Sequence, residues 1–390
     1  MNIVFVSLRS PLSYPGGAEI LTQVIAESLV MRGHRVIIYT AGSGRRHVVR
    51  GVSIRETPLL SFPLRLRTTL LPLYSLLLGP LFSRNREFRT ADIIHAIDSD
   101  SIILMSAWRS LRSKFVVTIQ DYELVWPTKD YFSVDVGKHT SRNVFRAVAM
   151  HLRSVIRSSA LSRVQYAVCV SRFVARHVQA VHPNVRWTVI GNCVSPEWKH
   201  IRRAGSRDID LLYVGKLMPY KGVDVLLRAV RLMRSKSIKA VVVGAGLRHR
   251  YAALAARLGI SDRVIFAGPL AYSRILSYYL RSKIVISASI WPEPCGRSII
   301  EAMWTGCTVV ATRVGGTPES LVDGKHGHLV RPGSPRAIAR ACDALLSDDR
   351  KRDAFGRQAA LFAQHRYSPE RIAFEYERFY SLIKSGGLVI

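Results

Sequence analysis

Residues 284–324, IVISASIWPEPCGRSIIEAMWTGCTVVATRVGGTPESLVDG, decide how the chain is read. Ile284-Val285-Ile286 is a short continuous apolar run, the mark of a strand buried in a parallel sheet. A polar turn carrying Trp291, Glu293 and Gly296 follows. Helical spacing then runs from Ser298 to Trp304 and stops at Gly306, a C-cap position. Thr308–Ala311 is a second apolar strand, Gly315-Gly316 a turn, and Pro318-Glu319 the start of another helix. A repeated strand, loop and helix predicts the α/β class with a parallel sheet. Such sheets bind ligands outside the carboxyl ends of their strands, where both loops of this stretch fall.

Glu293 sits in the first loop and Glu301 lies eight residues later, inside the helix. The helix N-terminus at Gly296, Arg297 and Ser298, beside Cys295, offers backbone N–H groups and partial positive charge, which suit a phosphate. Glu301 is an acceptor for sugar or ribose hydroxyls. The competing reading makes Glu293 a helix cap and Glu301 a solvated helix residue. The run E-P-C-G-R-x-I-I-E-A-M-x-x-G-C-x-V-V-A-x-x-V-G-G-T-P-E, from Glu293 to Glu319, resembles the E-x7-E region of family 4 retaining glycosyltransferases. That resemblance implies the GT-B fold: two Rossmann-like domains facing a central cleft, with a C-terminal helix crossing back to the first. It also implies a nucleotide diphosphate sugar as donor and retention at the anomeric carbon. Glu293 would then hold the sugar hydroxyls and Glu301 the ribose.

The chain of 390 residues is long enough for two α/β domains with full cores. With 48% hydrophobic and 22% charged residues it is no disordered chain. Lys and Arg total 57 against 27 Asp and Glu, a net charge of +30. Nucleic acid, anionic lipid head groups and phosphorylated substrates all suit that balance, and so does a host-wide bias in composition. Between Val136 and Pro196 no Asp or Glu occurs, whereas Lys138, Arg142, Arg146, Arg153 and Arg157 do. The five cysteines, 169, 193, 295, 307 and 342, lack any C-x-x-C spacing and read as separate thiols of a reducing compartment. Met1–Val6 runs straight into a strand, so no signal peptide is expected. No apolar run is long enough to span a membrane, Thr68–Phe82 being short and broken by Pro72, Gly79 and Pro80.

Asn2–Ser7, Gly16-Gly17, a helix through Ile20, Leu21, Val24, Ile25 and Leu29, and a strand at His34–Thr40 form a Rossmann-like opening. It lacks G-x-G-x-x-G. S-x-P-G-G-A-E, ending at Glu19, resembles the family's glycine loop, which would bring Gly16 and Gly17 to the donor. Leucines between Arg65 and Arg86, and a basic helical pattern over 141–160, suit either a membrane interface or ordinary helices covering a sheet. Phe115–Ile119 is a strand ending at Gln120-Asp121, where the family usually has histidine at position 120. Gln120 can donate a hydrogen bond to an acceptor but cannot become cationic. Asp121 either binds the acceptor or caps a turn.

Further on, Leu211–Gly215 is a strand followed by Lys216 and Lys221, which can hold a diphosphate and stabilise it as it departs. The segment resembles the family's G-R-L-x-x-x-K-G, with lysine in the arginine position, a substitution that keeps the charge and loses the fork. Ala240–Gly246 is a strand and a glycine turn, and the resemblance places nucleotide contacts at Gly244 and Gly246. Pro369–Lys384 reads as the terminal helix.

The expected domains are 1–200, acceptor-binding; 201–366, nucleotide-sugar-binding; and 367–390, the crossover helix. The expected function is transfer of a sugar to an acceptor hydroxyl in polysaccharide, glycolipid or glycoprotein-glycan assembly. Lys216, Lys221 and Glu293 form its catalytic set, with no cofactor and no metal required. The expected partners are a nucleotide-sugar donor, a lipid-linked or glycan acceptor and an anionic membrane, not nucleic acid. The enzyme would sit peripherally on the cytoplasmic membrane face. A nucleotide-sugar epimerase of the same fold and a non-catalytic basic binding protein are the alternatives.

Overall fold

The computed structural model describes residues 1–10, 17–61, 78, 81–106, 108, 114–121, 155–156, 158–198 and 206–387. The chain divides into two compact units, Met1–Ser195 with Pro369–Ile390, and Pro196–Ser368.

The first unit opens with β1 (Asn2–Ser7), α1 (Gly17–Met31) and β2 (Arg35–Ala41), a parallel β-α-β turn. β3 (Arg46–Val49) and β4 (Val52–Thr57) follow as an antiparallel hairpin. Its two linking residues, Arg50 and Gly51, have φ of +47° and +82°, the backbone of a tight hairpin turn that matches strand twist. α2 (Arg86–Thr90), β5 (Ile93–Ala96), α3 (Ser99–Ser106), β6 (Phe115–Ile119), β7 (Tyr166–Cys169), α4 (Arg172–Val181) and β8 (Arg186–Val189) complete it. Among the described residues the sheet order is β3-β4-β2-β1-β5-β6-β7-β8. Ser171 accepts a hydrogen bond from the Val174 N–H at 3.2 Å and so caps α4, as its hydroxyl and position predict.

The second unit alternates strand and helix as far as its first helix after β14, and a further helix follows. It runs β9 (Ile209–Val214), α5 (Val223–Leu232), β10 (Ala240–Val243), α6 (Arg248–Arg257), β11 (Val264–Gly268), α7 (Tyr272–Leu280), β12 (Ser282–Ser287), α8 (Arg297–Trp304), β13 (Thr308–Thr312), α9 (Thr317–Ser320), β14 (Gly327–Val330), α10 (Pro335–Leu346) and α11 (Asp349–Arg366). All its strand pairs are parallel, in the order β11-β10-β9-β12-β13-β14. Counted from its own first strand this is 3-2-1-4-5-6, the doubly wound order, and the switch point lies between the carboxyl ends of β9 and β12. The sequence places both strands but, without their pairing, not the switch point.

A last helix, α12 (Pro369–Lys384), belongs to the first unit. It buries Ile372, Tyr376, Phe379, Tyr380 and Ile383 in that unit's core. Under it lies a polar chain. His95, fully buried on β5, hydrogen-bonds the Tyr380 hydroxyl through Nδ1 at 2.5 Å and the Thr118 hydroxyl through Nε2 at 2.7 Å. Phe5 stacks on the imidazole at 5.4 Å. A buried donor or acceptor left without a partner costs about 1–3 kcal/mol, so this chain fixes where α12 docks.

The leucine-rich segment and the basic helical pattern fall mostly outside the described residues. Where the first is described, Leu78 and Phe82 are buried, and Phe82 stacks on Trp108 at 4.8 Å. Those two side chains belong to a core, not to a membrane interface. Among the described residues no helix is long and apolar enough to cross a membrane.

Burial pushes the His95 pKa from 6.5 down to about 3. The unfolded imidazole takes a proton below 6.5 while the folded one stays neutral. Its contribution to stability is therefore complete above pH 6.5 and is lost as pH falls toward 3. Between pH 7 and pH 5 that loss is about 2 kcal/mol. Urea unfolding of wild type and His95→Gln at both pH values should show the glutamine variant losing about 2 kcal/mol less on acidification. Equal acid sensitivity would mean that His95 is already protonated in the fold.

Candidate active site

The loop after β9 is fixed first by its neighbour β10. Gly215 N donates to Val243 O at 3.0 Å, Leu217 N to Ala245 O at 2.7 Å, and Leu247 N to Leu217 O at 2.9 Å. This extension has no room for side chains. A Cβ on Gly244 would lie 1.8 Å from Gly215 O, and one on Gly246 would lie 2.6 Å from Leu217 O. Both glycines are thus required by backbone meeting backbone, with φ of +151° and +132°. Lys216, which follows Gly215, is exposed.

The same loop is next pressed onto the end of β12. Pro219–Lys221 form one tight turn, closed by Gly222 in the left-handed region at φ +68°. A Cβ there would lie 1.9 Å from Ala288 O. The Tyr220 carbonyl accepts hydrogen bonds from Ile290 N at 3.0 Å, Trp291 N at 3.1 Å and the Ser289 hydroxyl at 3.2 Å. Across this joint Lys221 Nζ donates to Glu293 Oε1 at 2.6 Å. β13 supplies the third wall. Gly316 N donates to Glu293 O at 2.7 Å, and Gly315 (φ +53°) packs where a Cβ would be 2.3 Å from that carbonyl. Three loops from β9, β12 and β13 therefore hold Glu293 and Lys221 together at the switch point.

α8 begins beside them. Gly296 stands at its N-cap and no side chain caps it, so the orphan N–H groups of its first turn are left to other acceptors. Arg297 and Ser298, its first two residues, are half-buried, as is Cys295 before them. Glu293 is not the cap. Nor is Glu301 solvated, for it is only 5% exposed. Its Oε1 accepts from Tyr272 Oη at 3.0 Å and Arg297 Nε at 2.9 Å, and its Oε2 from Tyr279 Oη at 3.0 Å. Arg297 lies over the Tyr272 ring at 4.8 Å, and Trp198 stacks on that ring at 5.3 Å. Burial first, and then the Glu301 charge, push both tyrosine hydroxyls far up in pKa, so both remain protonated donors. Tyr272 and Tyr279 had no role in the sequence reading, although seven residues is two helical turns and puts both on one face of α7.

In the first unit Gln120 and Asp121 follow β6 and are half-buried, and Gly17 opens α1; Gly16 lies outside the described residues. That unit's own switch point lies between β1 and β5. Asp98 spans it, accepting from the Ser7 hydroxyl at 3.1 Å, Leu8 N at 2.9 Å and Ser101 N at 2.8 Å. Burial raises its pKa, Asp100 adds to the rise, and these hydrogen bonds oppose it. The signal for it was the Asp-x-x-Ser spacing of a helix start. All five cysteines are free thiols. Among the described residues no three His, Cys, Asp or Glu side chains gather as a metal ion would need.

Comparison with known proteins agrees in both units. The Glycosyltransferase Family 4 model matches residues 15–198 and the Glycosyl transferases group 1 model matches residues 194–362. The uncharacterized glycosyltransferase MJ1607 of Methanocaldococcus jannaschii is 25% identical over 98% of each chain. The structure of sucrose-phosphate synthase from Thermosynechococcus elongatus superposes with a TM-score of 0.79 at 18% identity, covering 99% of each chain. HepE of Anabaena in complex with UDP and glucose gives 0.70 at 20% identity, over 98% of this chain and 99% of that one.

Gly222→Ala tests the joint. A left-handed Cβ costs about 1–2 kcal/mol by itself, and the contact with Ala288 O adds to it. A loss of at least about 2 kcal/mol, read as a fall in Tm, is expected, whereas Lys216→Ala at an exposed position should stay within about 0.5 kcal/mol of wild type. An unchanged Tm in Gly222→Ala would show that the two loops are not pressed together.

Proposed function

The chain belongs to the family 4, group 1 glycosyltransferases and has their GT-B fold, and from that premise we propose that it moves a sugar from a nucleoside diphosphate sugar to an acceptor hydroxyl with retention of anomeric configuration. The observation that carries this reading is the Lys221–Glu293 pair at the switch point of the second unit, beside the uncapped start of α8. A departing diphosphate develops negative charge, and Lys221, Lys216 and the helix terminus are the positive groups set to receive it. Glu293 then turns to the sugar hydroxyls. Glu301 has its orientation fixed by three donors, and Oε2, with one of them, keeps capacity for a ribose hydroxyl. With this positive charge in place the reaction needs no metal ion, and activity should persist in EDTA.

Retention is taken from the resemblance of residues 293–319 to the retaining family. The UDP and glucose bound by HepE make UDP-sugars the first donors to test. Gln120 and Asp121 are assigned to the acceptor. The net charge of +30, with the acid-free stretch of the first unit, favours a lipid-linked acceptor and a peripheral place at the cytoplasmic membrane face, in glycan assembly. Equal activity on soluble and lipid-linked acceptors would remove that part of the proposal.

A thermal-shift panel of UDP, GDP, ADP and their sugars comes first. At one hundred times Kd the matching nucleotide adds about 2.7 kcal/mol of stability. Lys216→Ala and Lys221→Ala should each lower kcat/KM by roughly 10- to 100-fold, the worth of one charge-assisted hydrogen bond. No shift from any nucleotide would sink the donor site. A product of inverted configuration by NMR would sink retention alone.

A further inference from the structure

The second unit holds a cavity of about 560 Å³ whose lining includes Arg228 and Arg231 of α5, Arg331 just after β14, and Ser334 and Arg336 at the start of α10. None of Lys216, Lys221, Glu293 or Glu301 lines it. Four arginines of this unit stand against carboxylates: Arg281 against Asp208, Arg297 against Glu301, Arg313 against Asp323, Arg352 against Asp349. Here no carboxylate is among the lining residues, and among the described residues none of the four arginines makes an ion pair. Each of these two helices carries one carboxylate. Asp224 is one turn before Arg228 on α5, and Asp343 on α10 accepts from the Arg234 N–H at 3.3 Å. Neither pairs with the four. The positive end of the twelve-residue α10 supplies part of the lining, with Ser334 capping it through Ala337 N at 3.3 Å.

We propose that this cavity is a second anion site, separate from the donor site, for a phosphate ester carrying two phosphate groups. A guanidinium grips a phosphate through two parallel N–H bonds, and one phosphate commonly takes two such partners. Four guanidinium groups around one cavity match a diphosphate or two neighbouring phosphomonoesters better than a single carboxylate. The four exposed arginines line one open concave site, which suits a compact ligand.

The test uses the full chain carrying Lys216→Ala and Lys221→Ala, so that binding at the donor site does not mask the result. Titration calorimetry with inorganic pyrophosphate should show remaining binding, weakened roughly tenfold or more by adding Arg231→Gln and Arg331→Gln. Both arginines are exposed, and Tm should not change. Sedimentation with vesicles of phosphatidylglycerol and phosphatidylcholine, against phosphatidylcholine alone, identifies the source. If the arginine substitutions abolish retention on the anionic vesicles, the phosphates belong to lipid head groups. If they abolish pyrophosphate binding with no effect on vesicles, the ligand is a soluble phosphate ester. Binding of both probes unaltered by the substitutions, or no binding of either, overturns the proposal. Failure of the donor site is read separately, from the nucleotide panel on the protein with its lysines intact.

Discussion

The second unit depends on backbone meeting backbone at glycines, where no Cβ intervenes. Gly222 lies on Ala288 O, Gly244 on Gly215 O, and Gly315 on Glu293 O. Hydrogen bonds alone would not bring the loops after β9, β10, β12 and β13 so close, because a side chain at any of these positions would hold them apart. Once the loops touch, the Tyr220 carbonyl collects three donors from residues 289–291. Lys221 is thereby brought within 2.6 Å of a carboxylate 72 residues away in sequence. Fold and site are one construction here: the contacts that end the strands also aim the charges.

Glu301 shows what it takes to keep a carboxylate inside a helix face. Removing such a charge from water costs several kcal/mol, and one ion pair seldom returns that much. Three hydrogen bonds, one of them from a guanidinium, offset the cost. The guanidinium is itself steadied by the Tyr272 ring. The two hydroxyls serve only as donors at neutral pH, since burial beside a negative charge holds their protons in place. A carboxylate held by three donors on two helices has its orientation fixed.

Much of this was legible from residue pattern. Continuous apolar runs placed the buried strands of the second unit, since a parallel sheet covered on both faces tolerates little else. The terminal helix Pro369–Lys384 announced itself by a proline at its start and apolar spacing after it. The β3–β4 hairpin was not legible. Arg46-His47-Val48-Val49 is an edge strand with mixed exposure, and its turn needs a positive φ at an arginine. α7 was missed because Ala271 gives it no side-chain cap. In the site, the glutamates and lysines could be found because each follows a strand end. Their pairing could not, because Lys221 meets Glu293 only through the order of strands in the sheet. The sequence reading also gave Gly244 and Gly246 to the ligand, whereas the neighbouring backbone at Gly215 and Leu217 already accounts for them.

The positive charge of the second unit is arranged in two different ways. At the switch point Lys221 is paired with Glu293, so any anion or hydroxyl that engages either of them has to compete with a contact already made. Around the arginine cavity no such internal partner is found among the described residues. Two like charges about 8 Å apart in water repel by only roughly 0.5 kcal/mol, less with salt, so the fold tolerates the cluster at little cost. The first arrangement favours selectivity and the second favours capture.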